Sequence, residues 1–318
     1  MTTTTLVTGG TGYLATRLVA DLLAAGTAVR TTVRTLERAQ EVRDAVRRAG
    51  VDDGGLSFVQ ASLTDDAGWP EALAGIEEVH HVASPMVLTD DRDAVVVPAR
   101  DGALRVLRAA RDAGARRVVL TSSFAAVGYS PKPVREYDED DWTDPATPGL
   151  PAYPLSKAVA ERAAWDFVER EGAGLELVAL NPTWIAGPTL TAAARSSLAF
   201  FTGMLDGTLT SVPRQRFGIA DVRDVAAAHV AAARTAAAAG HRYLLLGDGP
   251  TMTFREVGAV LGVDLAEAPG EDPAPLVIHN DRAKRDLGFA PRPVVETITD
   301  TARSLRELGL VAASPVEA

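Results

Sequence analysis

Short apolar, β-branched runs alternate with longer amphipathic ones through the first two thirds of the chain. TTLVTG predicts a strand, and TRLVADLLAAG, closed by Gly26, a helix. AVRTTVR predicts a second strand, followed by a helix through ERAQEVRDAVRRAG. LSFVQA and EEVHHVAS predict a third and a fourth strand. ARDGALRVLRAARDAG is then a helix, ARRVVLTSS a fifth strand and LSKAVAERAAWDFVERE a helix. LELVALNP is a sixth strand and HRYLLLGDG a last one. Alternation at this spacing predicts an α/β fold with a doubly wound parallel sheet, covered on both faces. The apolar runs VVL and LVAL fit strands buried from both sides, because a strand with one wet face would alternate.

Two stretches break the alternation. SPKPVREYDEDDWTDPATPGLPAYP, rich in Pro and Asp, predicts a long loop, and the segment from Pro182 to Arg216 mixes Pro, Gly, Thr and small apolar residues. Loops longer than about 12–15 residues in a compact domain are usually functional or disordered. Within the first of them, EYDEDDW lacks the spacing of a calcium loop and reads as a solvated lid.

TGGTGYLA follows the first strand and opens the first helix, and Gly10, Gly12 and Ala15 satisfy G-x-G-x-x-G/A in its required strand–turn–helix setting. Glycines let the backbone turn tightly against a pyrophosphate, whose charge the helix N-terminus stabilises. The expectation is a dinucleotide held by Gly9, Gly10, Thr11, Gly12, Tyr13 and Leu14. At the end of the second strand an acidic residue would bind the ribose hydroxyl of NAD, whereas an Arg accepts the 2′-phosphate of NADP. The strand ends in Arg34, with Arg38 one turn on, so NADP(H) is preferred and NAD(H) remains open. Residues 1–181 therefore read as an NADP-binding Rossmann domain, completed by about 217–247. Segments 182–216 and 248–318 read as a smaller, discontinuous substrate-binding cap.

Tyr153 and Lys157 in YPLSK stand four apart, on one face of a helix whose first turn tolerates Pro154. A free phenol is poorly matched for proton shuttling at neutral pH, and a nearby ammonium favours its ionised form. VVLTSS brings Ser122 and Ser123 to a strand's C-terminal end, where such sheets form their ligand crevice. Y-x-x-x-K alone is a weak signal; beside the glycine loop and the serine pair it is a strong one.

Charge and composition narrow the partners. The 318-residue chain is 47% hydrophobic and carries a net charge of −10, which disfavours nucleic acid and anionic membranes. It has no cysteine, hence no thiolate nucleophile and no Cys-ligated metal. His80 and His81 are adjacent on a strand and face opposite ways, so no metal site is expected. His229, in an Ala-rich helix, reads as a packing residue. MTTTTLVTGG lacks the basic start and apolar core of a signal peptide, and a cytoplasmic monomer or homodimer is expected.

The chain resembles an extended short-chain dehydrogenase/reductase of the NAD-dependent epimerase/dehydratase superfamily over nearly all its length. TGGTGYLA is similar to that family's cofactor loop and YPLSKAVAE to its catalytic helix. HVASP, VVLTSSFAAV, NPTWIAGP, DVRDVAAAH and RAKRDLGFAPRPVVETITDTARSL resemble signatures of the dihydroflavonol reductase, cinnamoyl-CoA reductase and aldehyde reductase-like subgroup. The resemblance implies that Ser123, with Ser122 as the second candidate, binds the carbonyl, that Tyr153 donates the proton, and that Lys157 tunes it and holds the nicotinamide ribose. It places Ala83 and Ser84 beside that ribose and Pro182 and Thr183 at the nicotinamide; Thr121 is a further expected cofactor-binding residue. Asn181 is expected to be structural. Ser62-Leu63 stands where the family commonly has Asp-Leu for the adenine, so that contact is in question. PATPGLPAY replaces the aromatic motif of cinnamoyl-CoA reductases, so a CoA thioester is not expected.

Met86, Phe124, Trp184, Phe200, Phe201 and Met204 are the candidate lining of an apolar substrate pocket. The reading is an NADP(H)-dependent carbonyl reductase or alcohol dehydrogenase acting on a hydrophobic or aromatic small molecule. The alternative is a nucleotide-sugar epimerase or dehydratase with tightly bound NAD, using Arg223 and Arg292 for the diphosphate.

Overall fold

The computed structural model describes residues 4–85, 89, 91–192 and 195–312. Seven strands form one sheet in which every pairing is parallel. They are β1 (Thr4–Val7), β2 (Ala28–Val33), β3 (Leu56–Gln60), β4 (Glu78–His81), β5 (Arg117–Thr121), β6 (Glu176–Pro182) and β7 (Arg242–Leu245). Their order across the sheet is β7-β6-β5-β4-β1-β2-β3. The chain winds outward from β1 to β3, then returns to β4 on the other side of β1. That reversal opens a crevice at the C-terminal ends of β1 and β4, where such sheets bind ligands.

The main helices are α1 (Tyr13–Ala24), α2 (Ala39–Arg48), α3 (Arg92–Asp112), α4 (Ala152–Glu171), α5 (Arg195–Leu205), α6 (Val222–Arg234), α7 (Phe254–Leu261), α8 (Asp281–Leu287) and α9 (Val294–Glu307). Two apolar clusters fill the two faces of the sheet. Leu18, Val42 and Val225 pack on Val7, Val119 and Val178 on one side. Leu107 and Phe167 pack on Leu6, Val118, Leu120 and Leu177 on the other. Successive strand residues thus feed opposite cores, which is why these runs are continuously apolar. A third cluster joins Phe201, Met204 and Val212 to Phe254, Val257 and Ile298, residues from the segments either side of β7.

Two elements differ from the sequence pattern. Helix α3 begins at Arg92, well before the expected Ala99, and runs through Pro98. Asp91 caps it by accepting from the amides of Asp93 and Ala94, and the buried Val95 and Ala99 hold the turns around the proline. Here packing and a cap offset a missing hydrogen bond that would end an isolated helix. The acidic stretch EYDEDDW is not a free lid. Glu136–Tyr137 pairs in parallel with Val277–Ile278, and Tyr137 and Glu139 are buried. The guanidinium of Arg242 donates to the carbonyls of Glu139 and Asp141 at 2.9 and 2.7 Å and lies 3.6 Å from the Trp142 ring centroid. The fastener sits a hundred residues downstream, out of reach of local composition.

Candidate active site

The glycine loop is shaped by contacts a larger residue would destroy. Gly9 has φ +72°, and a Cβ there would stand 2.9 Å from that of Ala83. A Cβ on Gly10 would come within 2.4 Å of the Thr31 hydroxyl oxygen. The amides of Gly9 and Gly10 donate to the hydroxyl and carbonyl oxygens of Thr32, both at 2.9 Å, and Gly12 donates to the Gly9 carbonyl at 2.8 Å. Gly12 then starts α1 with no side-chain cap, leaving the first-turn amides aimed into the crevice. A glycine cradle ending on open helix amides suits a pyrophosphate. Gly10→Ala should cost about 1–3 kcal/mol of stability by overpacking Thr31 and weaken dinucleotide binding, as read by thermal unfolding and NADPH titration.

Arg34 is exposed at the end of β2, and among the described residues nothing holds its side chain. Arg38 is engaged bidentately by Glu41, at 3.0 and 2.8 Å. Of the two cations, Arg34 is therefore the one available to a 2′-phosphate. Ser62 turns its hydroxyl to Thr64 at 2.9 Å, and Leu63 packs over Gly102.

Across the crevice, α4 carries Tyr153 and Lys157 on one face. The Lys157 ammonium lies 5.8 Å from the Tyr153 ring centroid and donates to the Ser84 hydroxyl at 3.2 Å. The Tyr153 side chain is 47% exposed, so a ligand can reach it. Ser123 is the N-cap of the short turn Phe124–Ala126, and its Oγ accepts the Ala125 amide at 3.1 Å. With a lone pair occupied there, its proton is free to be donated into the crevice. Three buried imidazoles lie beneath. Burial, assisted by the ammonium of Lys157, holds His81 down to about 3, and burial with Arg234 does the same for His80. His229 is pushed well below the usual range by burial and by those two neighbours. All three are neutral near pH 7, and none serves as an acid there.

A profile described as the NAD dependent epimerase/dehydratase family matches residues 5–245. The chain belongs to this family. Among its curated relatives, cinnamoyl-CoA reductase CAD2 of Medicago truncatula is 32% identical over 317 residues, 95% of each chain. An anthocyanidin reductase of Vitis vinifera is 31% identical, with 93% of each chain covered. Among solved structures, yeast methylglyoxal/isovaleraldehyde reductase Gre2 complexed with NADPH superposes with a TM-score of 0.83. It is 27% identical, and the match covers 97% of this chain and all of that one. These relatives lie in the reductase subgroup that the signature stretches indicated.

Against this family background the expected site residues fall into two groups. Gly9, Gly10, Thr11, Gly12, Ala83, Ser84 and Ser123 lie on the loops and turns around the crevice, and Tyr13 and Lys157 on the helices α1 and α4 that border it. Leu14 is buried under the loop, and the Tyr13 hydroxyl donates to the Gly187 carbonyl at 2.6 Å, tying the start of α1 to the segment that follows β6. The hydroxyl of Thr121 is bonded to His229 at 2.8 Å and that of Thr183 to the Leu245 carbonyl at 3.2 Å, so both face inward. Pro182 is buried beside them. Trp184 is half-buried and Phe200 is 39% exposed, their rings 6.0 Å apart. Phe201 and Met204 are enclosed in the third cluster instead of facing the cleft, and Phe124 is buried against Tyr137. Met86 lies outside the described residues.

Thr8 escaped sequence reading. Its hydroxyl accepts from the amides of Val82 and Ala83 at 3.1 and 3.0 Å and meets His81 Nδ1 at 2.9 Å. It thereby clamps the ends of β1 and β4 at the crevice. A hydroxyl residue directly before a glycine fingerprint was the available signal.

Proposed function

We propose that the protein is an NADPH-dependent carbonyl reductase that converts a hydrophobic or aromatic ketone or aldehyde to the alcohol, with Tyr153 as proton donor. That it is an NADP-dependent oxidoreductase rests on the family, the reductase relatives and the free Arg34 beside the glycine cradle. The observation that carries the finer reading is one helix presenting an exposed Tyr153 and a Lys157 that reaches Ser84 across the crevice. NADPH, when bound, supplies a hydride to the carbonyl carbon. Ser123 donates a hydrogen bond to the carbonyl oxygen and stabilises the charge that builds there. Tyr153 gives its proton to that oxygen, completing the alcohol. Lys157 holds positive charge beside the phenol as it becomes anionic. Segments 182–216 and 248–318 act as the substrate cap, with Trp184 and Phe200 as its aromatic rim.

The same residues could serve a nucleotide-sugar epimerase or dehydratase retaining NAD. That reading needs free cations for a diphosphate. Arg223 is bound by Asp221 and Asp300 at 2.7 and 2.8 Å, and Arg292 by Asp224. Both are already committed to carboxylates.

Oxidation of NADPH, followed by its absorbance, against aryl ketones, aldehydes and a cinnamoyl-CoA thioester tests the function. Turnover of a ketone or aldehyde with NADPH supports it. A silent panel with NAD that co-purifies and resists washing would overturn it in favour of the epimerase class. Arg34→Glu should raise the NADPH KM relative to that of NADH by roughly 10–100-fold, the loss of one charge-assisted contact. An unchanged ratio would remove Arg34 from cofactor choice.

A further inference from the structure

Glu161 continues the face that carries Tyr153 and Lys157, four residues further along α4, and its side chain is fully buried. A carboxylate in that position needs compensation, and the structure supplies it from four directions. Arg242, at the start of β7, donates Nε to Oε1 at 2.6 Å and Nη2 to Oε2 at 3.3 Å. Trp165 Nε1 reaches Oε1 at 3.3 Å. Oε2 accepts the Ser122 hydroxyl at 2.5 Å and the Asn181 amide at 2.7 Å. The same Asn181 Nδ2 also donates to the carbonyl of Ser123 at 3.1 Å.

We propose that Glu161, charge-balanced by Arg242, is the positioning residue for Ser123, acting through Asn181 and Ser122. The inference rests on the reductase reading above, in which Ser123 holds the substrate oxygen. Both strands of the tether end on the serine pair. One grips the side chain of Ser122; the other grips the backbone of Ser123, whose Oγ is oriented in turn by Ala125. Because Glu161 is on the helix that carries Tyr153, one rigid element sets the proton donor and, through this tether, the oxygen-binding serine. A buried ion pair is weak evidence for stability, since apolar residues of similar size often serve as well. Its use here is geometric: a buried network in which both oxygens of Glu161 are bonded holds one arrangement where an apolar contact would tolerate several, although Asn181 Oδ1 has no partner among the described residues. Arg242 carries the tether further, to the Glu139 and Asp141 carbonyls, so the fastened acidic loop and the serine share one anchor.

The test is a double-mutant comparison. Asn181→Leu cuts the link to Ser123 while keeping the branched shape of the side chain, and Glu161→Leu/Arg242→Met removes the ion pair as a unit without stranding a charge. Each is made in the native background and in Ser123→Ala, and kcat is measured well below the unfolding temperature, with NADPH Kd alongside. In the native background kcat should fall on the order of 10²-fold, the cost of misplacing a reacting group by about 1 Å, with NADPH Kd unchanged. In the Ser123→Ala background the same changes should cost less than about threefold, because residues acting as one unit are not additive. Equal losses in both backgrounds, or a lowered unfolding temperature with native kcat, overturn the inference. If Ser123→Ala alone leaves kcat intact, it is the role of Ser123 in holding the substrate oxygen that fails, and the inference with it, while a panel that is silent in the native protein would overturn the reductase reading itself. Should the Glu161 variant not fold, Asn181→Leu decides by itself.

Discussion

Tyr153→Phe should lower kcat by roughly 10²–10⁴-fold while leaving NADPH affinity unchanged, the range that a positioned general acid contributes. The substitution removes one oxygen from a side chain that is half-exposed at the crevice and whose hydroxyl makes no bond to the described protein residues. No cavity opens and no buried partner is stranded, so the unfolding temperature should stay where it is. A loss of rate with intact stability and intact cofactor binding isolates the proton transfer. Lys157→Met should reach a similar loss by a different route, since it also frees Ser84 from the ammonium; here NADPH affinity should fall as well. Unchanged turnover in Tyr153→Phe would remove Tyr153 as the acid.

The second large effect concerns acid. His80, His81 and His229 are almost wholly buried, and burial is the leading cause that keeps each neutral. Their folded-state values lie below the ordinary 6.5, at about 3 for His80 and His81. Between pH 6.5 and 3 the unfolded chain therefore binds protons that the native state refuses. Their contribution is fully present above pH 6.5 and is lost as pH falls, by up to about 1.4 kcal/mol per pH unit for each imidazole. For three, the limit is about 4 kcal/mol per unit, against a typical total stability of about 5–15 kcal/mol. Glu139 and Asp224, both raised by burial, work in the opposite direction, but only where carboxylates titrate. Denaturant unfolding at a series of pH values should show a steep fall beginning near pH 6.5. His80→Phe, which removes an imidazole with an unpaired Nδ1, should flatten it. A flat profile down to pH 5 would mean that the folded imidazoles take up protons as readily as the unfolded ones, and would overturn the argument from burial.

Such network features separate what local chemistry dictates from what the fold assembles. The strand–helix alternation was legible because side-chain period and burial are written in neighbouring residues. The glycine loop was legible because its turn chemistry is local, and the Tyr153–Lys157 pair because a helix brings positions four apart together. Capture of Arg38 by Glu41 was legible too, as a pair three apart on one turn, and went unread. By contrast, nothing near Pro98 announces that α3 runs through it, and nothing near EYDEDDW announces Arg242.

By itself the sequence determined the strand–helix alternation, the glycine loop and the candidate catalytic helix, each written in residues a few positions apart. Only the tertiary structure decided that Phe201 and Met204 fill the interior of their cluster while Phe200 faces outward. It also decided that Thr8 clamps β4 and that Glu161 meets Arg242, Ser122 and Asn181. Those contacts join residues from 20 to 81 positions apart, and no local periodicity encodes a distance that only packing across the sheet can close.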